Sequence, residues 1–184
     1  MKNIPLVLIA LFGIAACNTP NESTSEEPTT DTISTDTNQN SIIMNDTTPK
    51  VTGIGGIFFR SKDPKAVKEW YSNNLGLATS EYGSSFEFRN ANRPDEINYL
   101  QWSPFIEDTK YFDPSEKEFM INYRVQNIEG LVKKLEAAGV TIVDTIEEYE
   151  YGKFVHIMDL EGNKLELWEP VDHVFTEMGG ETTK

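Results

Sequence analysis

The order of elements in the C-terminal part of this chain is written twice, and such a duplication restricts the fold more tightly than composition does. An alternating apolar stretch from Val51 to Phe59 runs through Arg60 to Asp63-Pro64, and a second from Phe119 to Val125, through Arg124, to Asn127-Ile128. Each then starts a helix, with Asp63 and Asn127 as N-caps and Pro64 at the first helical position, where its missing N–H costs nothing. Val67, Trp70, Tyr71 and Leu75 recur at helical spacing in the first copy, as do Ile128, Leu131, Val132, Leu135 and Ala138 in the second. Gly76 and Gly139 stand where a left-handed C-terminal residue is wanted. Further on, Glu81-Tyr82-Gly83 before "SSFEFRN" is echoed by Glu150-Tyr151-Gly152 before "KFVHIMD", and "YLQWSPF" (Tyr99 to Phe105) corresponds to "KLELWEP" (Lys164 to Pro170). "DLEGN" (Asp159 to Asn163) supplies the turn of the last hairpin. Each copy reads as strand, helix and about three strands. The chain is therefore predicted to be α+β: two βαβββ modules, at about 51–105 and 119–170, forming one curved mixed sheet with the helices outside.

The N-terminus has a different character. Ile4 to Ala16 is mostly apolar, follows Lys2 and ends in Ile14-Ala15-Ala16-Cys17, a pattern expected of a bacterial lipoprotein export signal over residues 1–16 with Cys17 as the lipidated residue. Cys17 is the single cysteine, so lipidation accounts for it without catalysis or a disulfide. An ordinary cleaved signal and a retained anchor are the alternatives, although this apolar run is short for a bilayer span. Residues 17–49 then read as a linker, because Asn18 to Pro49 carries no aromatic residue and too few apolar groups to fold. As a flexible coil it would span roughly 30 Å. Folding starts near Lys50. A polar tail, 171–184, has Phe175 and Met178 as its strong apolar groups, and is either disordered or docked on a neighbour.

Net charge is −14, made up of −5 before Lys50 (one basic against six acidic groups) and −9 from Lys50 onward (fifteen against twenty-four). An acidic domain offers nucleic acid no footprint. Anionic lipid repels it too, which leaves membrane attachment to the lipid anchor. The expected location is the bacterial cell envelope, facing the periplasm or exterior.

The strings "GIFFRSKDPKAVKEWYSNNLGL", "INYRVQNIEGLVKKLEAAGV" and "GKFVHIMDLEGNKLELWEP" resemble the glyoxalase, bleomycin-resistance and extradiol-dioxygenase superfamily, the vicinal oxygen chelate proteins, over about Val51 to Pro170. The resemblance implies a cup of strands with a ligand or metal site inside. Metal-dependent members carry His or Gln in the first strand of each module and Glu near the last. Those positions fall here on Gly56, on Met120, on Leu100 or Gln101 depending on a one-residue gap, and on Glu166, so that only Glu166 matches. Glycine offers no ligand and a thioether is a poor one for these metals. No metal site and no cofactor are predicted, a divalent ion being accommodated only if other residues take over.

Side chains two apart on a strand share a face. If Gly56 and Met120 point into the cup, Phe58, Arg60, Asn122 and Arg124 follow, whereas Ile57, Phe59, Ile121, Tyr123 and Val125 face the helices. The hairpin strands place Phe86, Phe88, Val155 and Ile157 toward the helices and Glu87 and His156 inside. On the last strand Lys164, Glu166 and Trp168 turn inward. Arg60, Glu87, Asn122, Arg124, His156, Glu166 and Trp168 are thus the candidate ligand-binding residues, with Glu166 and His156 the candidate catalytic ones. Plain structural roles compete with each: carbonyl capping for the arginines, a strand hydrogen bond for His156, and a cross-axis ion pair with an arginine for Glu87. Trp102, Trp168, Phe105, Tyr111 and Phe112 read as packing, and the connector Ile106 to Lys117 either covers a mouth of the cup or simply links the modules.

The leading expectation is a membrane-tethered domain enclosing a small organic ligand without the usual metal centre. The alternative is a lyase, isomerase or dioxygenase using a Glu or His base or a relocated metal at Glu87, His156 and Glu166. A third class, a partner-binding envelope lipoprotein, would be favoured by a cup filled with its own side chains. Monomer and homodimer are both compatible with two modules in one chain.

Overall fold

Apolar residues alternating with small or polar ones from Lys50 onward favour an extended strand, and the computed structural model, which describes residues 46–91 and 93–184, builds strand β1 there (Lys50–Ser61). The export signal, Cys17 and nearly all of the linker lie outside the described residues. After β1 come helix α1 (Pro64–Leu75) and strands β2 (Ser84–Arg89) and β3 (Ile97–Ile106). The second copy has β4 (Phe119–Gln126), α2 (Ile128–Ala137), β5 (Glu147–Tyr149), β6 (Gly152–Met158) and β7 (Lys164–Pro170), followed by a short helix α3 (Asp172–Met178). None of the helices among the described residues is long and apolar enough to cross a membrane.

The strands form one seven-stranded sheet in the order β2-β3-β1-β4-β7-β6-β5. Its centre is the antiparallel pair β1 and β4, with Ile57 opposite Ile121. On either side the pattern repeats: β3 runs parallel to β1 and β7 parallel to β4, and β2 and β6 add antiparallel hairpin partners. Duplication in the sequence has become a near twofold arrangement about β1/β4. One strand differs from expectation. The third strand of the first module is reduced to an isolated bridge between Thr79 and Ser84.

The helix starts are built as the sequence predicts: Asp63 accepts from the Ala66 amide at 2.9 Å and Asn127 from the Gly130 amide at 3.0 Å. Packing beneath the two helices differs. Under α2, Val125, Ile128, Leu131, Val155, Ile157 and Leu167 form a closed core. Helix α1 buries no residue completely, and Trp70 and Leu75 are 55% and 59% exposed, contrary to the expected inward face. Phe88 is likewise exposed rather than core, with its ring 5.7 Å from the Arg124 guanidinium. The core under α2 gains Val140, Ile142 and Ile146 from the segment after that helix, whereas α1 meets the sheet through its own Tyr71, whose ring lies 4.6 Å from Trp102, itself beside Phe59.

On the opposite, concave face, the glycines of β1 matter. The register of β1 against β4 shifts between Ile54 and Gly56, and a Cβ on Gly55 would collide with Asn122 and lie 2.8 Å from Trp168 and 2.9 Å from Arg124. Bare backbone there lets three long side chains from β4 and β7 lie across β1.

Two segments outside the sheet fill this face. The connector between modules sends in Phe112, fully buried against Phe58 and Met120 with Phe105 and Tyr111 beside it. From the other end, α3 places Phe175 against Tyr99, Tyr151 and Trp168 at ring separations of 5.3, 5.9 and 5.7 Å. The tail continues across the sheet to β2, where the Thr183 amide donates to the Ser85 carbonyl at 2.8 Å and Thr182 to Glu87 at 2.6 Å. The segment read as a polar tail is thus a strap docked on its own domain. The hollow that the alternation predicts is occupied by the protein's own aromatic rings.

Candidate functional site

Strands β6 and β7 set the site, because their register places His156 directly opposite Glu166, and β4 places Asn122 beside Glu166. All three are buried. Asn122 Nδ2 donates to Glu166 Oε1 at 2.5 Å, His156 Nε2 meets Glu166 Oε2 at 3.0 Å, and the Tyr111 hydroxyl donates to the same oxygen. The other ring nitrogen, His156 Nδ1, lies 2.7 Å from Asp144, which also accepts from the His156 amide at 2.8 Å. Asp144, His156, Glu166 and Tyr111 thus form one chain of hydrogen bonds from the surface to the floor of the cup. Lys164 closes it, donating to the Tyr111 carbonyl at 2.7 Å.

Burial alone would push the Glu166 carboxyl up, but hydrogen bonds and charge from His156, with Tyr111 and Asn122 adding donors, hold it below its usual value. For His156 burial works downward, and its contacts with Asp144 and Glu166 outweigh it, raising the imidazole to about 9. The ring is therefore an imidazolium at neutral pH, with both nitrogens donating. Burial raises the Tyr111 phenol well above its ordinary value, and the Glu166 charge pushes it further. Desolvation lowers Lys164.

The remaining predicted residues separate into two groups. Arg124, buried in the cup, donates from Nη1 to the Tyr99 carbonyl at 2.9 Å and from Nη2 to Asp172, and its guanidinium lies 5.1 Å from the Trp168 ring. Trp168 stacks on Phe154 at 5.8 Å and donates to the Tyr151 carbonyl at 3.1 Å. Arg60 sits apart at the connector, donating to the Glu107 carbonyl at 2.6 Å over the Phe112 ring. Glu87 is not among the converging groups. It lies at the β2 edge and pairs with Thr182 and Lys184, so the expected ion pair with an arginine across the pseudo-twofold is replaced by contacts with the tail.

Tyr111, Asp144, Asp172 and Phe175 belong to this constellation and were outside the sequence-based candidates. Strand parity had no purchase on them, since all four lie on segments that are not strands. The clue for the first was "KYFDP", two aromatics in an otherwise charged connector.

These residues do not fit the metal centre of the fold. The doubtful fourth-strand position resolves to Gln101, which register places beside Gly56 and whose amide is engaged by Ser85, Ser103 and the Tyr82 carbonyl. Both Glu166 oxygens are taken by donors. Asp144 and Glu166 lie on opposite sides of the imidazole, so their oxygens and the ring nitrogens do not converge on a point, and among the described residues no group of three or more His, Cys, Asp or Glu is placed to hold an ion. The relocated set Glu87, His156 and Glu166 is likewise not brought together among the described residues.

The paired modules and the chain's match over residues 53–167 agree: this protein belongs to the Glyoxalase/Bleomycin resistance protein/Dioxygenase superfamily. No curated protein sequence matches it. Among solved structures it is similar to methylmalonyl-CoA epimerase from Mycobacterium tuberculosis, at 21% identity over 69% of this chain and 93% of that one, with a TM-score of 0.47. It is also similar to the Mn(II)-bound glyoxalase from Novosphingobium aromaticivorans, at 16% identity over 66% of this chain and 40% of that one, TM-score 0.47. A superfamily member from Vibrio splendidus 12B01 matches at 16% identity over 66% of this chain and 99% of that one, TM-score 0.40.

Proposed function

We propose that this protein is a ligand-sequestering member of its superfamily, tethered to a membrane through Cys17 and holding a small organic molecule in the cup without a metal ion. One observation carries this reading: what fills the cup is the connector and the strap, not the sheet. A wall of Phe154, Trp168, Tyr99 and Phe105 with a few convergent polar groups is the usual make-up of a small-molecule site. Two chain segments outside the sheet occupy it, and such segments can withdraw without unpairing a strand. Catalysis by a Glu or His base is less well supported, because Glu166 already holds three donors and His156 has both nitrogens engaged, leaving neither free to take a substrate proton.

The test is calorimetry of the purified protein against small aromatic and carbonyl compounds, alongside metal analysis. Saturable binding of an organic compound at one per chain, with no divalent ion bound, is the expected result. A stoichiometric metal ion would overturn it in favour of the enzyme. Failure of every compound would favour the third class, a partner-binding envelope protein, for which the filled cup is itself an argument.

Tethering rests on the sequence from Ile4 to Cys17. In a bacterial host the protein is expected to fractionate with membranes and to gain the mass of its acyl chains, each buried methylene adding about 0.8 kcal/mol of membrane affinity. Cys17→Ala is expected to abolish both. Unchanged membrane fractionation of that variant, with no added mass on the parent, would refute lipidation.

A further inference from the structure

Strap and cup meet through two groups of unlike chemistry. Asp172 and Phe175 are one helical turn apart and so project on the same side of α3. The Asp172 carboxylate sits on the buried Arg124 guanidinium and accepts from Asn98 Nδ2 at 3.1 Å, both through Oδ2. Phe175 rests in a box of Tyr99, Tyr151 and Trp168. Both sites meet at Trp168, whose ring lies 5.1 Å from the Arg124 guanidinium and 5.7 Å from the Phe175 ring, so the cup receives a carboxylate and an aromatic ring one helical turn apart.

The fit is incomplete. Asp172 Oδ1 is buried with no donor from the protein. Beside the strap opens a cleft of about 650 Å³ whose lining includes Arg124, Asp172 and Thr176. Gly179 and Gly180, both at positive φ, join α3 to the tail and supply a hinge. Of the acids around the cleft, Asp172 and Glu177 leave with the strap, Glu96 is paired with Arg93 and Glu169 is bound to the Asn127 and Ile128 amides, so Asp95 alone of them stays in the lining without one of these contacts.

Building on the sequestering function, we propose that the strap is an internal stand-in for the ligand, with Asp172 and Phe175 holding the places of the carboxylate and ring of a small aryl carboxylate that binds Arg124, Asn98 and the aromatic box when α3 is displaced. The strap then competes with the ligand, and only chains with it lifted bind. Apparent affinity falls by the fraction of chains in that state.

Titrating the full chain and its Phe175→Ala variant with 3-phenylpropanoate, 3-phenylpropanol and acetate tests this. The variant is expected to bind 3-phenylpropanoate at least about tenfold more tightly than the parent, with little gain for the neutral alcohol or for acetate. Asp172→Asn provides a second measurement that does not rely on the first variant folding: its melting temperature should rise with 3-phenylpropanoate more than the parent's does. Equal affinity of parent and variant, an equal gain for the alcohol, or no added thermal protection of Asp172→Asn would overturn the proposal. If some other organic compound bound parent and variant alike, the strap assignment would fail while sequestration stood. If nothing bound any form, both would fall.

Discussion

Replacing Glu166 by alanine is expected to lower the unfolding temperature by roughly 10–20 °C, since breaking a buried ion pair by removing one partner costs about 3–5 kcal/mol and a domain of this size loses a few degrees per kcal/mol. The variant leaves the His156 imidazolium with Asp144 alone and orphans the Asn122 amide and the Tyr111 hydroxyl. Glu166→Gln, which keeps an acceptor, should lose less. A companion measurement is the pH dependence. His156 is raised from an ordinary 6.5 to about 9, so between those values the unfolded chain releases a proton that the folded chain keeps. Its contribution to stability is complete below about pH 6.5 and disappears as pH rises through about 9. Glu166 and Asp144, both lowered, act oppositely: their contributions are present above their ordinary values of 4.5 and 3.8 and fade on acidification. Melting curves of the parent should therefore decline on the alkaline side, and Glu166→Ala should flatten that decline. An unchanged alkaline slope in the variant would show that His156 is not held by Glu166.

Phe112→Ala is the other large expected effect, about 3–5 kcal/mol of stability, because truncating a buried phenylalanine loses its transfer energy and leaves a cavity. Here the cavity would open inside the cup between Phe58 and Met120. Thermal unfolding measures the loss, and an apolar probe such as benzene should recover part of it by occupying the space. A melting temperature within a degree or two of the parent's would mean that the connector does not plug the cup in solution. The same substitution tests the idea behind the proposed function, since it removes one of the rings that fill the hollow without touching a strand.

Much of this architecture could be read from the chain before any coordinates. Two alternating strands, each followed by a capped helix and a glycine stop, state the duplication, and the β1/β4 symmetry of the sheet is its three-dimensional form. Period-two alternation also assigned Asn122, Arg124, His156, Glu166 and Trp168 to one face, because side-chain direction along a strand is a local property. That Gly56 offers no ligand was likewise legible, since a glycine carries no side chain that any environment could turn into one. Alternation misjudged the first module: Phe88, expected toward the helices, lies beside Arg124 of the cup, and Trp70 stays 55% exposed, because a local period fixes neither what an edge strand meets nor what covers a helix face.

What tertiary structure alone decided is the content of the cup. Tyr111, Phe112, Asp172 and Phe175 lie on a connector and a tail with no periodicity, and their positions follow from where the sheet's curvature brings distant segments together. Whether Glu166 is a free ligand or a carboxylate closed off by Tyr111, Asn122 and His156 depends on contacts across 55, 44 and 10 residues of chain. Local pattern dictates the direction of a side chain; only packing dictates its neighbour, because burial energies are settled among groups that the sequence does not place side by side.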